Sequence, residues 1–362
     1  MKKVGIISYG FSVPKRRLKV EETISTWKNA PLELVKDVFN VKERAVLGVD
    51  EDVITLSVDA AKMALMKWNG DKDGVDSLYL GTCTNPYDSK PSGTVIIEAL
   101  GLSKEVKCAD IQFSTKSGTT AVQIGQAMVS AGLSKNALVI GADTLNRHIA
   151  PGDLQESYAG AGAAAVVIGD TDIIAEIEAT ASYVTDLPDS FRVQGERYIR
   201  TGTPLGSSRD EISIDEHTEN VTQLILKQLH LKAQDFNHVV FQQPFGSAPF
   251  KLGIPLGFTP QQLETGIFAS VIGDAGSASA LIGLAKVFDV AKPGDRILVI
   301  SYGFGAGSDA FSLRVTDAIT HVQNKGVTVQ NVLDDKIYVS YAEAIKSEFK
   351  YIRPEYPLTA YL

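Results

Sequence analysis

Two stretches decide the fold: GTTAVQIGQAMVSA at residues 118–131 and GSASALIGLAKVFDVA at residues 276–291. Each is long enough for a helix, and each is small or apolar around nearly its whole circumference. A helix at a protein surface carries a polar face, and one without such a face is buried. Gly132 closes the first stretch, a residue suited to the left-handed turn that ends helices. Two buried helices of this kind predict a central layer in which they pack on each other.

Around them, short β-branched runs alternate with helical patterns, which is the grammar of an α/β protein. In the first half, strands are expected at 4–9, 78–82, 109–113, 137–142 and 163–168, with helices at 54–68 and 94–102. The second half repeats the order: an extended run at 173–184, a helix at 214–231, and strands at 238–242, 267–269, 296–301 and 310–315. Both halves set a glycine turn before the final strand, Gly160-Ala161-Gly162 in one and Gly303, Gly305 and Gly307 in the other. Matched order, down to the glycines, predicts a duplicated fold. The expected architecture is a five-layer α-β-α-β-α sandwich. Its halves are 1–170 and 171–316, and an extension follows at 317–362.

Composition excludes several classes. The 362 residues are 44% hydrophobic and 22% charged, ordinary values for a globular chain. With 35 Lys+Arg against 43 Asp+Glu the net charge is −8, so neither nucleic acid nor an anionic membrane is an expected partner. No apolar run approaches the roughly 18 residues of a membrane span. Pro14 and the basic Lys15-Arg16-Arg17 come too early for a secretory leader, so a cytoplasmic protein is expected. Two cysteines allow neither a disulfide framework nor a four-cysteine zinc site.

His148, His217, His230, His238 and His321 lie far apart with no metal-ligand spacing, and are expected on the surface or in loops. Cys108 is expected in the core, at the start of a buried strand. The glycines at 303–307 precede an alternating strand rather than a helix, so they do not make a dinucleotide loop. Five of the twelve tyrosines, Tyr338, Tyr341, Tyr351, Tyr356 and Tyr361, fall near the C-terminus. With Phe349 and Ile352 they predict either a partner contact or a cover for the chain's own core.

The motifs VGIISYGFSVP (4–14), DIQFSTKSGT (110–119), SYAGAGAAAVVIG (157–169), VVFQQP (239–244) and SYGFGAGSDAF (301–311) occur in the order seen in the thiolase superfamily. In detail the chain resembles archaeal-type 3-hydroxy-3-methylglutaryl-CoA synthases. YLGTCTNPYD (79–88), APGDLQESYAGAG (150–162) and the ending LTAYL (358–362) resemble, more narrowly, the synthase-like subunits of bacterial monoacetylphloroglucinol-type acetyltransferases.

That resemblance implies an acyl-carrying cysteine at a helix N-terminus, a glutamate acid–base after a first-half strand, and a histidine on the matching second-half turn. The residues at those positions are Thr115, Cys83 and Gln242. A threonine hydroxyl ionises far above neutrality, and glutamine takes no proton near pH 7. The resemblance therefore implies a catalytically degenerate subunit of a C-acyltransferase acting on phenolic carbon, with Gly303, Gly305 and Gly307 as pocket floor. Its implied partners are a thiolase-like catalytic chain, a zinc-ribbon/OB-fold chain that would hold the only zinc, and a second thiolase-fold chain across the family's usual interface. No cofactor is expected in this chain. Two alternatives stay open: an active acyltransferase using Cys83, helped by His148 or His238, and a stand-alone acyl-CoA-binding protein.

Overall fold

The computed structural model of the chain describes residues 3–201 and 208–351. Its main sheet has nine strands. The first half supplies β1 (Gly5–Ser12), β2 (Ser77–Gly81), β3 (Lys107–Ile111), β4 (Ala137–Asp143) and β5 (Gly162–Gly169). The second half supplies β6 (Ala175–Leu187), β7 (His238–Phe241), β8 (Arg296–Ile300) and β9 (Gly305–Val315). The order β3-β2-β4-β5-β1 continues as β6-β9-β8-β7. In each half a parallel pair, β2 with β4 or β7 with β8, leads into two antiparallel pairings. The half-sheets join where Gly5 and Ile6 pair with Glu176 and Ala175.

The expected strand at 267–269 is replaced by a single helical turn, Ala269–Ile272. The cause lies outside the segment: the side-chain carbonyl of Gln243 accepts the N–H groups of Phe268 and Ala269, which a strand would have donated to a neighbour. This leaves β7 at one edge of the sheet, while β3 forms the other. Cys108 lies on β3 and is half-buried rather than a core residue, because an edge strand is covered on one side only.

Five helices matter for the site: α1 (Val53–Lys67), α2 (Gly93–Leu100), α3 (Ser117–Ser130), α4 (Ser208–Leu229) and α5 (Ser279–Phe288). A capping box between Asp52 and Thr55, with both hydrogen bonds at 2.8 Å, starts α1. A 3-10 turn, Gly276–Ala278, precedes α5.

Strand alternation divides the core between the layers. Along β5, Ala163, Ala165 and Val167 face residues of α1 and α2, whereas Ala164, Val166 and Ile168 face α3 and α5. Along β8, Ile297 and Val299 turn to the same central layer, and Leu298 and Ile300 turn to Val221 and Ile225 of α4. Helix, sheet, helix pair, sheet and helix follow one another. Leu281, Ile282, Leu284, Val287 and Phe288 of α5 are all buried. At about 1.5–3 kcal/mol for each such side chain, this one helix contributes on the order of 10 kcal/mol to holding the layers together.

Residues 337–350 lie back on the first half. Ile337–Tyr338 pairs with Arg16–Lys19, which pairs with Glu43–Val46. Arg44 and Glu348 form a fully buried ion pair, and Lys350 meets Glu348 at 3.2 Å and Glu156 at 3.0 Å. Tyr338 and Tyr341 donate to Glu43 and Glu156 of their own chain, at 2.8 and 3.1 Å. Phe349 and Tyr351 stay about half exposed. Ile352, Tyr356, Tyr361 and the 358–362 ending fall outside the described residues.

Candidate active site

Parallel strands in both halves end at the same level, and their following turns converge. After β3, the chain reverses through Ser114, whose φ of 45° is left-handed, and enters α3. Ser117 ties this turn down: its hydroxyl donates to Ser114 O at 2.6 Å and accepts the Phe113 N–H at 2.7 Å. Thr115 is thereby held just before α3, its hydroxyl donating to Tyr302 O at 2.9 Å.

Gln242 follows β7. Its amide nitrogen donates to Gly276 O at 2.9 Å and reaches Thr115 O at 3.5 Å. Only the NH2 group can face a carbonyl, so the amide orientation is set. The other end, Oε1, is a buried acceptor with no partner among the described residues.

Cys83 follows β2, and its thiol meets Asp143 Oδ2 at 3.3 Å. Burial, and next the Asp143 charge, push that thiol well above its ordinary range. Asp143, at the end of β4, is met by donors alone. Oδ1 accepts the Thr82 and Thr84 hydroxyls and the Cys83 and Thr84 N–H groups, and Oδ2 accepts Ser277 N–H at 2.7 Å. Neither histidine expected to assist Cys83 partners its thiol. His148 Nδ1 lies 2.9 Å from Arg197 O, and burial lowers the ring to about 4. His238 sits at the opposite end of β7, 3.4 Å from Asp295. His217, expected at the surface or in a loop, is buried on α4 with its ring 2.8 Å from the Thr185 hydroxyl.

Thr115 and Gln242 open onto a cavity of about 480 Å³. Cys83 is not itself a lining residue; it packs with Leu145, Ile149, Ala159 and Ile199, which line the cavity. One side of the cavity is aromatic: Phe39 and Phe245 stack at 4.7 Å, and Tyr158 sits edge-on to both. Gly303 and Gly307 hydrogen-bond each other at 2.8 and 3.0 Å and press on Phe113, where a Cβ on Gly303 would lie 2.8 Å from the carbonyl oxygen. The neighbouring Tyr302 and Phe304 line the cavity.

Asp274 is a site residue that the sequence reading missed. It lines the cavity, its Oδ1 accepts Gly276 N–H at 2.8 Å, and burial with the nearby Asp143 charge raises its carboxyl to about 7. The available signal was an acidic residue between Gly273 and Gly276 at the threshold of a buried helix. Among the described residues no group of three or more His, Cys, Asp or Glu could hold a metal ion, and no helix is long and apolar enough to cross a membrane.

Residues 109–183 match the family model of 3-oxoacyl-[acyl-carrier-protein (ACP)] synthase III. The fold is similar to that of MvaS in complex with 3-hydroxy-3-methylglutaryl coenzyme A, with a TM-score of 0.85 at 19% identity over 96% of this chain and 92% of that one. It is also similar to the curacin biosynthetic pathway HMG synthase in complex with holo donor-ACP, with a TM-score of 0.84 at 21% identity over 96% and 88% of the two chains. Fold and site thus define a thiolase-like α/β protein. In sequence the chain is 39% identical over 348 residues to hydroxymethylglutaryl-CoA synthase of Methanopyrus kandleri, covering 96% of this chain and 98% of that protein. It is 38% identical over 346 residues to the synthase of Methanosphaera stadtmanae, covering 96% and 98%. The chain belongs to the hydroxymethylglutaryl-CoA synthase family.

This overturns the expectation of a degenerate assembly subunit of a phenol C-acetyltransferase. That reading rested on three short runs and three substituted positions, whereas the likeness to the synthases extends over nearly the whole chain.

Proposed function

We propose that the chain is an acyltransferase of the hydroxymethylglutaryl-CoA synthase type, taking an acyl thioester into the cavity and carrying the acyl group on Cys83. The near-full-length identity to synthases carries this reading. Its chemistry follows from the residues present. The Cys83 S–H bond breaks, its proton passes to Asp143 Oδ2 at 3.3 Å, and the sulfur attacks the thioester carbonyl. The acyl–S bond to CoA breaks, and the departing sulfur takes up a proton. No oxidation state changes, so no redox cofactor is called for. Partner chains of the thiolase and OB-fold kinds are a separate proposal, checked by which chains co-purify with this one.

A second reading, acyl-CoA binding without turnover, is favoured by Thr115 and Gln242 standing at the expected cysteine and histidine positions, and by a resting Cys83 that is fully protonated near pH 7. Incubation with acetyl-CoA and acetoacetyl-CoA separates the two. Release of free CoA, with one acetyl group added to Cys83 by intact-mass and peptide analysis and lost in Cys83→Ala, supports the transferase. Saturable binding with neither release nor adduct supports the binding protein.

A further inference from the structure

We propose that Asp274 is the acid–base group of this cavity: it removes a proton from the carbon beside a bound acyl thioester's carbonyl and returns a proton to the oxygen of the condensed product. The inference rests on the acyl-thioester reading above and adds the group that works at carbon: Asp143 serves the Cys83 thiol, and Thr115 and Gln242 cannot exchange protons near neutrality.

Three observations support it. Asp274 faces the cavity together with Thr115 and Gln242. Its position is over-determined: the Asp274 N–H donates to Tyr158 O at 2.7 Å, and the Gly160 N–H donates to Asp274 O at 2.9 Å. The Gly160 turn that the sequence displays is required for this fit, because a Cβ on Gly160 would lie 2.1 Å from Ile272 O. Finally, the Gln242 Oε1 acceptor of the same cavity is buried with no partner among the described residues, so it can take a donor from a ligand, such as an amide N–H or a hydroxyl.

Asp143 is the charged neighbour that acts on Asp274, and Asp274 in turn acts on Cys83; Lys251, Asp189 and Asp215 line the same cavity. Its carboxyl is raised to about 7, where both protonation states are populated at physiological pH. In the forward step the C–H bond breaks, the proton goes to the Asp274 carboxylate, and the electron pair becomes the enolate. That enolate attacks the second carbonyl, and the resulting alkoxide takes the proton back. Atoms and charge balance without a co-reactant.

The test is exchange of the methyl protons of acetyl-CoA for deuterium in D2O, followed by NMR, with binding measured in parallel. Wild type should exchange with a rate that rises through an ionisation near neutral pH. Asp274→Asn, which keeps an acceptor for the Gly276 N–H, should bind acetyl-CoA as tightly, exchange at least about 100-fold more slowly, and lose that ionisation. Equal exchange in Asp274→Asn overturns the role, as does wild type that binds acetyl-CoA without exchange; the second result leaves acyl binding standing. Wild type that fails to bind acetyl-CoA overturns the acyl-thioester reading and this inference with it. Should Asp274→Asn not fold, carboxyl NMR of the wild type decides: a midpoint near 7 supports the role, and one in the ordinary carboxylate range overturns it.

Discussion

The Ser277 N–H of the second half donates to Asp143 Oδ2 of the first half at 2.7 Å. The Cys83 thiol meets that same oxygen at 3.3 Å. One carboxyl group therefore stitches the halves together and sets the state of the site cysteine. Close backbone approach makes the stitch possible: Gly118 and Gly141 both abut Ser277, and a Cβ on either would lie 2.2 or 2.4 Å from its carbonyl oxygen.

Replacing Asp143 by Asn puts an NH2 group among donors. Whichever way the amide turns, at least one buried N–H or hydroxyl loses its acceptor. The expected cost is about 3 kcal/mol in urea unfolding. The same change removes a charge that raises the Cys83 thiol, so the pH midpoint of its alkylation by iodoacetamide should fall. A midpoint that stays or rises would show that Asp143 does not govern Cys83.

Gly118→Ala tests the approach itself. Its methyl group collides with backbone rather than a movable side chain, so a loss of about 3 kcal/mol or more is expected. Gly74→Ala is the control: the nearest side-chain atoms lie 3.4 and 3.5 Å from where its methyl carbon would stand, ordinary contact distances. Equal stability of the two variants, measured by urea unfolding, would count against the tight central layer.

Asp274 makes stability depend on pH with a definite sign. Its folded carboxyl is raised to about 7 from an ordinary 3.8, so the folded state binds more protons than the unfolded one between those values. Stability contributed by this group is therefore present below pH 3.8 and lost as pH rises towards 7, by roughly 4 kcal/mol in all. Asp274→Asn should gain on the wild type between pH 4.5 and 7.5 in urea titrations. A difference that does not grow with pH would show that the carboxyl titrates normally.

The C-terminal segment is anchored by charge. Glu348→Ala leaves Arg44 buried without its ion-pair partner, and losses of about 3–5 kcal/mol follow from breaking such a pair. Thermal unfolding should show this, whereas Glu343→Ala, at an exposed helix start, should cost far less. A Glu348→Ala chain as stable as the wild type would mean the segment adds nothing to the first half.

Much of the fold was legible because it depends on patterns with a period. The mostly small and apolar make-up of α3 and α5 announced the central layer, although Gln123, Gln126 and Ser130 give α3 a partly exposed polar face. The short apolar run at 163–168 announced a strand that proves buried on both sides. The strand at 267–269 failed because its outcome turned on Gln243, a side chain far away in the sequence that accepts two backbone N–H groups. Positions 83, 115 and 242 were found through family motifs, and the structure links them through Asp143, Ser277 and Gly276. Asp143 and Asp274 were missed for a shared reason. A lone acidic residue at a strand or turn end looks like any solvated loop residue until burial and neighbours are known.

Thr115 offers the sharpest contrast with Cys83. It stands just before α3, a helix of 14 residues whose N-terminal N–H groups favour negative charge. Cys83, by contrast, faces a carboxyl group that disfavours the thiolate. A Thr115→Cys thiol in a Cys83→Ala background should therefore ionise at lower pH than Cys83 does in the wild type. It should also be alkylated by iodoacetamide at least 10-fold faster near pH 7, since about one pKa unit is worth a factor of ten in thiolate. Faster alkylation of native Cys83 would mean that its proton leaves more readily than its surroundings allow, and would move the electrostatic argument for the whole site onto Asp143 as a base.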